Sequence, residues 1–333
     1  MTEKKIVFSG IQPTGCITIG NYIGAISQWK ILQKKYFCIY CIADLHAITI
    51  CPEKYILNKN ILDTLSICLA CGIKPEESII FIQSHVPQHA QLNWVLNCFT
   101  NFGELKRMTQ FKEKQYSNKN VNIGLFNYPV LMAADVLLYQ TNKIPVGKDQ
   151  IQHIELTRNI ARRFNSIYGN IFKIPETIIN KNGFCIKSLL NPKKKMSKSD
   201  INTNNFISLF DDDILVKKKI NNAITDSDNP SIIKYDLYRK PGISNLLNIL
   251  SNITGISIKK LEVELKNETY NDLKKYLIKE LCSFLKEIRE KYYFYRKNEK
   301  YLNNIIFSGA EIAKKYANVS IDKVFNAIGL YKI

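Results

Sequence analysis

The sequence predicts an α/β fold: a doubly wound parallel sheet with a helical insertion, followed by a mostly α-helical C-terminal part. Three observations predict it. Over roughly the first 200 residues, short apolar runs alternate with longer stretches of helical period, the pattern of strand–helix–strand units. Each run is followed by glycines or polar side chains, where an open parallel sheet places its ligands. From about Asn204 the strand signals fade and helical period continues alone.

The elements follow in order. "KKIVFSGIQPTG" reads as a short buried strand ending in a Gly/Pro turn. "TIGNYIGAISQWKILQKK" follows as a helix, with Thr18 as N-cap and apolar residues at Ile19, Ile23, Ile26 and Leu32. "YFCIYCIADLHAIT" is a second strand, "KYILNKNILDTLSICLACG" a second helix closed by Gly72, and "SIIFIQSHV" a third strand. "HAQLNWVLNCFTNFGELKRMTQFKEK" reads as one long helical insertion. In "YPVLMAADVLLYQ" Pro129 is expected in the first turn of a helix, which tolerates it. "KIPVGKDQIQHIELTRNIARRFN" reads as a short strand, a glycine loop and a helix. Four further segments of helical period follow, among them "ISNLLNILSNIT" and "DLKKYLIKELCSFLKEIREKYYFYRK".

Bulk composition narrows the functional class. The 333 residues contain no apolar run of the roughly 18 residues that a membrane span needs. "MTEKKIVFSG" lacks the apolar core and cleavage site of a signal peptide, so a cytoplasmic protein is expected. The net charge of +18 is uneven: residues 1–150 carry 15 Lys/Arg against 10 Asp/Glu, leaving 32 against 19 in the remainder. A basic C-terminal part suggests a polyanionic partner, although the Lys-, Asn- and Ile-rich composition also accounts for much of that charge. Nine cysteines include two C-x-x-C pairs, Cys38/Cys41 and Cys68/Cys71. The first lies in a strand-like run, where residues three apart face opposite ways, and the second on an apolar helical segment without turn residues. Buried thiols acting as small hydrophobes are therefore expected rather than a zinc site.

Four polar clusters could carry chemistry. "SGIQPTGCITIGN" brings small residues and a helix start at Thr18, which suits an anion, but it is neither G-x-G-x-x-G nor a P-loop. Asp44 and His46 follow the second strand; a lone histidine is more often structural than catalytic, and its place at a strand's carboxyl end narrows that gap. Asp135 sits in an apolar helix, and Tyr128, Met132, Asp135 and Tyr139 share one face. That face could line an apolar slot with one acceptor, or Asp135 could be paired to a neighbouring helix. "NPKKKMSKSD" holds Lys195 and Lys198 between serines. It reads either as a polyphosphate clamp or as a generic basic patch.

"PTGCITIGN" and "KMSKS" resemble the two signatures of class I aminoacyl-tRNA synthetases, the first as a T-I-G-N variant of H-I-G-H. The wider set, "FSGIQPTG", "GELKRMTQFKEK", "YPVLMAADVLLY", "VGKDQIQHIELTR", "KKMSKSD" and "KPGISNLLNI", resembles the bacterial tryptophanyl-tRNA synthetases from Ile6 to Leu330. The resemblance implies a Rossmann-like catalytic domain over residues 1–203, with a C-terminal helix at about 308–333 packing back on it. It also implies a helical anticodon-binding domain over 204–307, with aromatics and basic residues interleaved in "KEIREKYYFYRK"; an ordinary aromatic core face fits that segment equally well.

The implied reaction joins L-tryptophan and ATP into tryptophanyl-adenylate and pyrophosphate, then transfers the tryptophanyl group to tRNA(Trp). By resemblance, Lys195, Lys198, Thr18 and Asn21 are the expected catalytic residues. ATP would be held by Gln12, Pro13, Thr14, Gly20, Asn21, Gly147, Lys148, Asp149, Ile186, Lys195, Met196, Ser197, Lys198 and Ser199, with Mg2+ on its phosphates. Asp135 would accept the indole N–H, with Phe8, Tyr128, Met132 and Val146 shaping the slot. His46, Gln110 and Gln150 would meet the ammonium and carboxylate ends. No membrane contact is implied, and a homodimer formed through the 93–117 insertion is. A non-catalytic binding module, or another nucleotidyl-transferring enzyme on the same sheet, are the alternative readings.

Overall fold

The computed structural model describes residues 4–112, 122–147, 150–178, 185–198, 200–228 and 230–331. Two compact units divide the chain: Met1–Gly15, Trp29–Lys181 and Tyr295–Ile333 form the first, and Cys16–Gln28 with Asn182–Phe294 the second.

The first unit holds a five-stranded parallel sheet in the order β3-β2-β1-β4-β5. Its strands are β1 (Ile6–Ile11), β2 (Phe37–Ile42), β3 (Ser78–Ile82), β4 (Lys143–Pro145) and β5 (Glu176–Ile178). β2 and β3 are near-continuous apolar runs because both sheet faces are covered, while β1 is apolar from Ile6 to Phe8 and then passes into Ser9 and Gly10. Pairing aligns Ile6 with Phe37 and Cys38 with Ser78, so the ends of β1, β2 and β3 finish near one level. The order reverses between β1 and β4, the switch point at which open sheets bind ligands.

The helices are α1 (Ile19–Asn21), continuing as a π-turn (Tyr22–Ile26) into α2 (Ser27–Leu32), then α3 (Asp44–Ala47), α4 (Lys54–Ala70), α5 (Gln88–Cys98), α6 (Phe102–Lys106), α7 (Ile123–Leu137) and α8 (Ile151–Tyr168). After β5 come α9 (Asp213–Asn222), α10 (Pro241–Thr254), α11 (Ile258–Glu264), α12 (Tyr270–Arg296) and α13 (Glu299–Ile328). Thr18 caps α1 as expected, its hydroxyl accepting from Asn21 N–H. Gly72, with φ of 94°, follows the end of α4. Among the described residues no helix is long and apolar enough to cross a membrane.

Three expectations are corrected. The insertion is broken between α5 and α6, because Asn101 and Glu104 form a capping box that restarts the helix. Pro129 lies inside α7, not in its first turn; the cap is Asn122, whose side chain accepts from Leu125 N–H. The helix accepts one missing i→i−4 bond because Leu125, Val130, Ala133, Ala134 and Val136 bury its apolar face. Strand β5 was absent from the sequence reading, being three residues long and only partly buried.

The core of the first unit runs from Phe8, Ile39 and Phe81 through α7 and α8 to Ala310, Ala313 and Ala317 of α13. Gly309 presses on strand β3: a Cβ there would stand 1.8 Å from the Ile80 carbonyl oxygen. Cys38, Cys41, Cys68 and Cys71 are all buried free thiols, and burial raises the Cys38 pKa to about 11 and that of Cys68 to about 12.

Candidate active site

Polar residues gather past the carboxyl ends of β2 and β3. Asp44 starts α3 directly after β2. Its carboxylate accepts from Ser84 N–H (2.9 Å) and Ser84 Oγ (2.5 Å), tying the ends of the two strands together. His46, two residues on, is buried, and its Nε2 stands 2.8 Å from Asp135 Oδ2.

Asp135 is 4% exposed and is the centre of a convergent set. Gln83 Nε2 donates to its Oδ1 at 2.6 Å and His89 Nδ1 lies 2.6 Å from the same oxygen. The Gln83 amide is oriented by its other end, because Oε1 accepts from Leu45 N–H at 3.1 Å. His89 Nε2 in turn meets the Tyr139 hydroxyl at 2.8 Å. Burial alone would raise the Asp135 pKa, but hydrogen bonds from His46 and His89 outweigh it and hold the carboxyl at about 2. An ionised carboxylate accepts about four hydrogen bonds. Among the described residues three are occupied, so one acceptor position remains, on Oδ2. The sequence reading set a partner for Asp135 against a ligand-facing role; the geometry gives it partners and leaves room for one further donor.

Around this carboxylate, Phe8 stacks on Tyr139 with ring centroids 5.5 Å apart. Tyr128 meets His46 edge-on at 6.3 Å and hydrogen-bonds Gln110 Oε1 at 2.7 Å and His153 Nε2 at 2.9 Å. Burial pushes the Tyr128 hydroxyl up to about 12. Met132 and Val146 pack as partly buried side chains on the same core. Gln150 takes the N-cap position of α8, its N–H bonded to the Gly147 carbonyl. Gln12 closes a tight turn by accepting from Thr14 N–H at 2.9 Å, with Pro13 between them.

Most of the remaining expected residues lie in the second unit. Thr18 and Asn21 engage each other: Thr18 N–H donates to Asn21 Oδ1 at 3.0 Å and Asn21 N–H donates to Thr18 Oγ1 at 3.2 Å. The cap uses the Asn21 carbonyl oxygen and so presents its NH2 as the donor end. A Cβ on Gly20 would lie 3.5 Å from Met196 Sδ, so the two signature stretches, far apart in sequence, touch directly. Met196 is buried, and its N–H donates to the Ile186 carbonyl at 2.9 Å. Lys195 bridges to Lys187, and Lys193 and Lys194 are exposed. Loss of hydration lowers the Lys198 pKa, only partly offset by Cys16, whose Sγ lies 3.1 Å from Ser208 Oγ. Ser197 is exposed. The contacts expected at Lys148, Asp149 and Ser199 fall outside the described residues.

Sequence reasoning placed Tyr139 on the Asp135 face but missed Gln83 and His89 as partners of Asp135, with Tyr139 reached through His89. A signal existed for Gln83, which follows the third apolar run just as Asp44 and His46 follow the second. For His89 there was none, since only the packing of α5 on α7 brings it to Asp135.

A parallel sheet with this order and a glycine helix start seated on a lysine-rich turn define the class I synthetase architecture. The family described as tRNA synthetases class I (W and Y) matches residues 1–286, and the chain belongs to it. Among its relatives, the tryptophan--tRNA ligase of Wigglesworthia glossinidia brevipalpis is 57% identical over 331 residues, 99% of each chain. The tryptophanyl-tRNA synthetase of Mycoplasma pneumoniae has a similar structure, with a TM-score of 0.90 and 33% identity over 98% of both chains. That of Campylobacter jejuni, solved with ADP and tryptophan, matches with a TM-score of 0.82 and 35% identity, over 98% of this chain and 100% of that one.

Proposed function

We infer that the chain activates L-tryptophan with ATP to tryptophanyl-adenylate and pyrophosphate, then transfers the tryptophanyl group to the 3′ end of tRNA(Trp), the reaction of a tryptophan--tRNA ligase. The observation that carries the reading is the buried Asp135 carboxylate with one acceptor position left. The indole ring offers one N–H donor and no acceptor. A tyrosine hydroxyl could donate to the same carboxylate, but its oxygen would also bring acceptor lone pairs into an apolar slot, where leaving them unpaired is costly.

The substrate carboxylate attacks the α-phosphate, so no protein nucleophile is required and catalysis rests on alignment and charge neutralisation. Phe8, Tyr128, Met132 and Val146 flank the indole. His46 holds Asp135 through Nε2, which leaves Nδ1 to act toward the amino-acid end with Gln110 and Gln150. Gln12, Pro13, Thr14, Gly20, Asn21, Gly147 and Ile186 hold the nucleotide, together with Lys148, Asp149 and Ser199. Thr18 fixes Asn21, and Lys195, Met196, Ser197 and Lys198 receive the pyrophosphate. Mg2+ enters with ATP: four lysines outnumber the single carboxylate, Asp200, in this turn, which suits an ion carried by the phosphates, where it would neutralise charge.

Residues 1–203 with the helix at 308–333 serve as the catalytic domain and 204–307 as the anticodon-binding domain. The protein acts in the cytoplasm as a homodimer. Exposed Trp94 and Phe102 on the insertion, at 72% and 69%, support an interface there. Pyrophosphate exchange tests the reading: it should require tryptophan, and exchange supported equally by tyrosine would overturn it.

A further inference from the structure

The stretch "KPGISNLLNI" has no role in the chemistry above, yet it carries one unusual side chain. Asn245 of α10 is 2% exposed and bonds the Lys187 backbone twice: Lys187 N–H donates to Asn245 Oδ1 at 2.8 Å, and Asn245 Nδ2 donates to the Lys187 carbonyl at 2.9 Å. Lys187 belongs to a short antiparallel ribbon with the lysine-rich turn. Met196 N–H donates to the Ile186 carbonyl at 2.9 Å, Ser188 N–H donates to the Lys194 carbonyl at 3.0 Å, and Lys187 stands opposite Lys195.

In an antiparallel pair, alternate residues turn their N–H and C=O away from the partner strand. Lys187 is such a residue, and the Asn245 carboxamide satisfies both of its outward groups, as a third strand would. A two-stranded ribbon is marginal by itself. Helix α10 is anchored firmly: Gly242 comes so near Ile224 that a Cβ would stand 2.4 Å from its carbonyl oxygen, and Ile243 to Leu250 are all buried.

We propose that Asn245 is a positioning residue for the ATP step, holding the Ile186–Ser188 strand and, through it, Lys195 and Met196 in the pyrophosphate-binding register. The proposal rests on the activity inferred above. Its test compares wild type with Asn245→Leu, which keeps the volume and removes both bonds, and Asn245→Asp, which keeps the acceptor and loses the donor. Ile249→Val, a core trim of the same helix, sets the level that lost stability alone produces. In pyrophosphate exchange, Asn245→Leu should lower kcat/KM for ATP roughly 10- to 100-fold while KM for tryptophan stays within about twofold, with Asn245→Asp between. Hydrogen exchange at the Met196 and Ser188 amides should quicken, with the Leu250 amide unchanged.

Equal loss toward both substrates, an effect matching that of Ile249→Val, or an unchanged Met196 amide would each overturn the proposal. Wild-type exchange that does not need tryptophan would count against the ligase reading alone. Calorimetric ATP binding to wild type and Asn245→Leu, read with the amide exchange, then decides the positioning role, and equal ATP affinity would sink it.

Discussion

His89 Nδ1 stands 2.6 Å from Asp135 Oδ1 while the Nε2 of the same ring stands 2.8 Å from the Tyr139 hydroxyl. A carboxylate accepts only, so Nδ1 carries the proton in the first bond. In the neutral ring Nε2 then accepts from Tyr139 O–H. One imidazole thus connects the Asp135 carboxylate to the buried Tyr139 phenol. His89→Leu should raise KM for tryptophan about tenfold or more, leave KM for ATP nearly unchanged, and cost about 1–3 kcal/mol in urea unfolding. Tryptophan-dependent pyrophosphate exchange and chevron-free equilibrium melts check both figures.

The same carboxylate sets a pH dependence. Its pKa is lowered in the folded protein, from 3.8 to about 2, so its stabilising contribution is complete above the unfolded value and is lost as pH falls through the folded one. The affected window is therefore about pH 4 down to about pH 2, and the contribution is about 2 kcal/mol. Asp135→Asn should flatten stability across that window, seen by urea titration at several acid pH values. The variant should also lose tryptophan selection far more than ATP binding; unchanged tryptophan-dependent exchange would defeat the assignment.

The lysines of the signature turn should separate. Alanine at Lys195 or Lys198 is expected to cut adenylate formation by roughly two orders of magnitude or more, on the scale of losing a preorganised charge contact to the transition state. Alanine at the exposed Lys193 should leave it nearly unaltered. Because lost hydration lowers the Lys198 pKa, its charge fails at a pH below the ordinary lysine range. The alkaline limb of the exchange rate should shift upward in Lys198→Arg. Uniform behaviour of all three alanine variants would restore the reading of a generic basic patch.

Strands β2 and β3 were legible because a strand buried on both faces is a nearly unbroken apolar run, and β1 because its apolar start runs into a Gly/Pro turn. Strand β5 was not: Glu176 is exposed, Pro175 precedes it, and a three-residue pairing leaves no period to detect. Thr18 and Gly72 were readable as caps because capping is local chemistry. The partners of Asp135 were not, because Gln83 and His89 reach it from separate elements, and which polar groups converge is decided only once helices pack. The contact of Gly20 with Met196 lay between these cases, since the motifs announced themselves but their touching did not.

Gly309→Ala should be among the most damaging small substitutions in the chain. Its methyl group would overlap the Ile80 carbonyl, and neither helix nor strand backbone can yield without displacing Ala310 and Ala313 from the core. A loss of about 1–3 kcal/mol or more is expected in thermal unfolding. Ser308→Ala, at the exposed position one residue earlier, should be nearly silent.

That contact also bears on synthesis. Strand β3 is an outer strand of the sheet, and α13, which lies against its Ile80 backbone, is encoded far downstream. Chains emerge amino-terminus first, so the nascent sheet stands with an unguarded rim until α13 leaves the ribosome. During that interval the strand "SIIFI" is the segment most open to pairing with a neighbouring nascent chain, and holding it apart would fall to chaperones rather than to the fold itself.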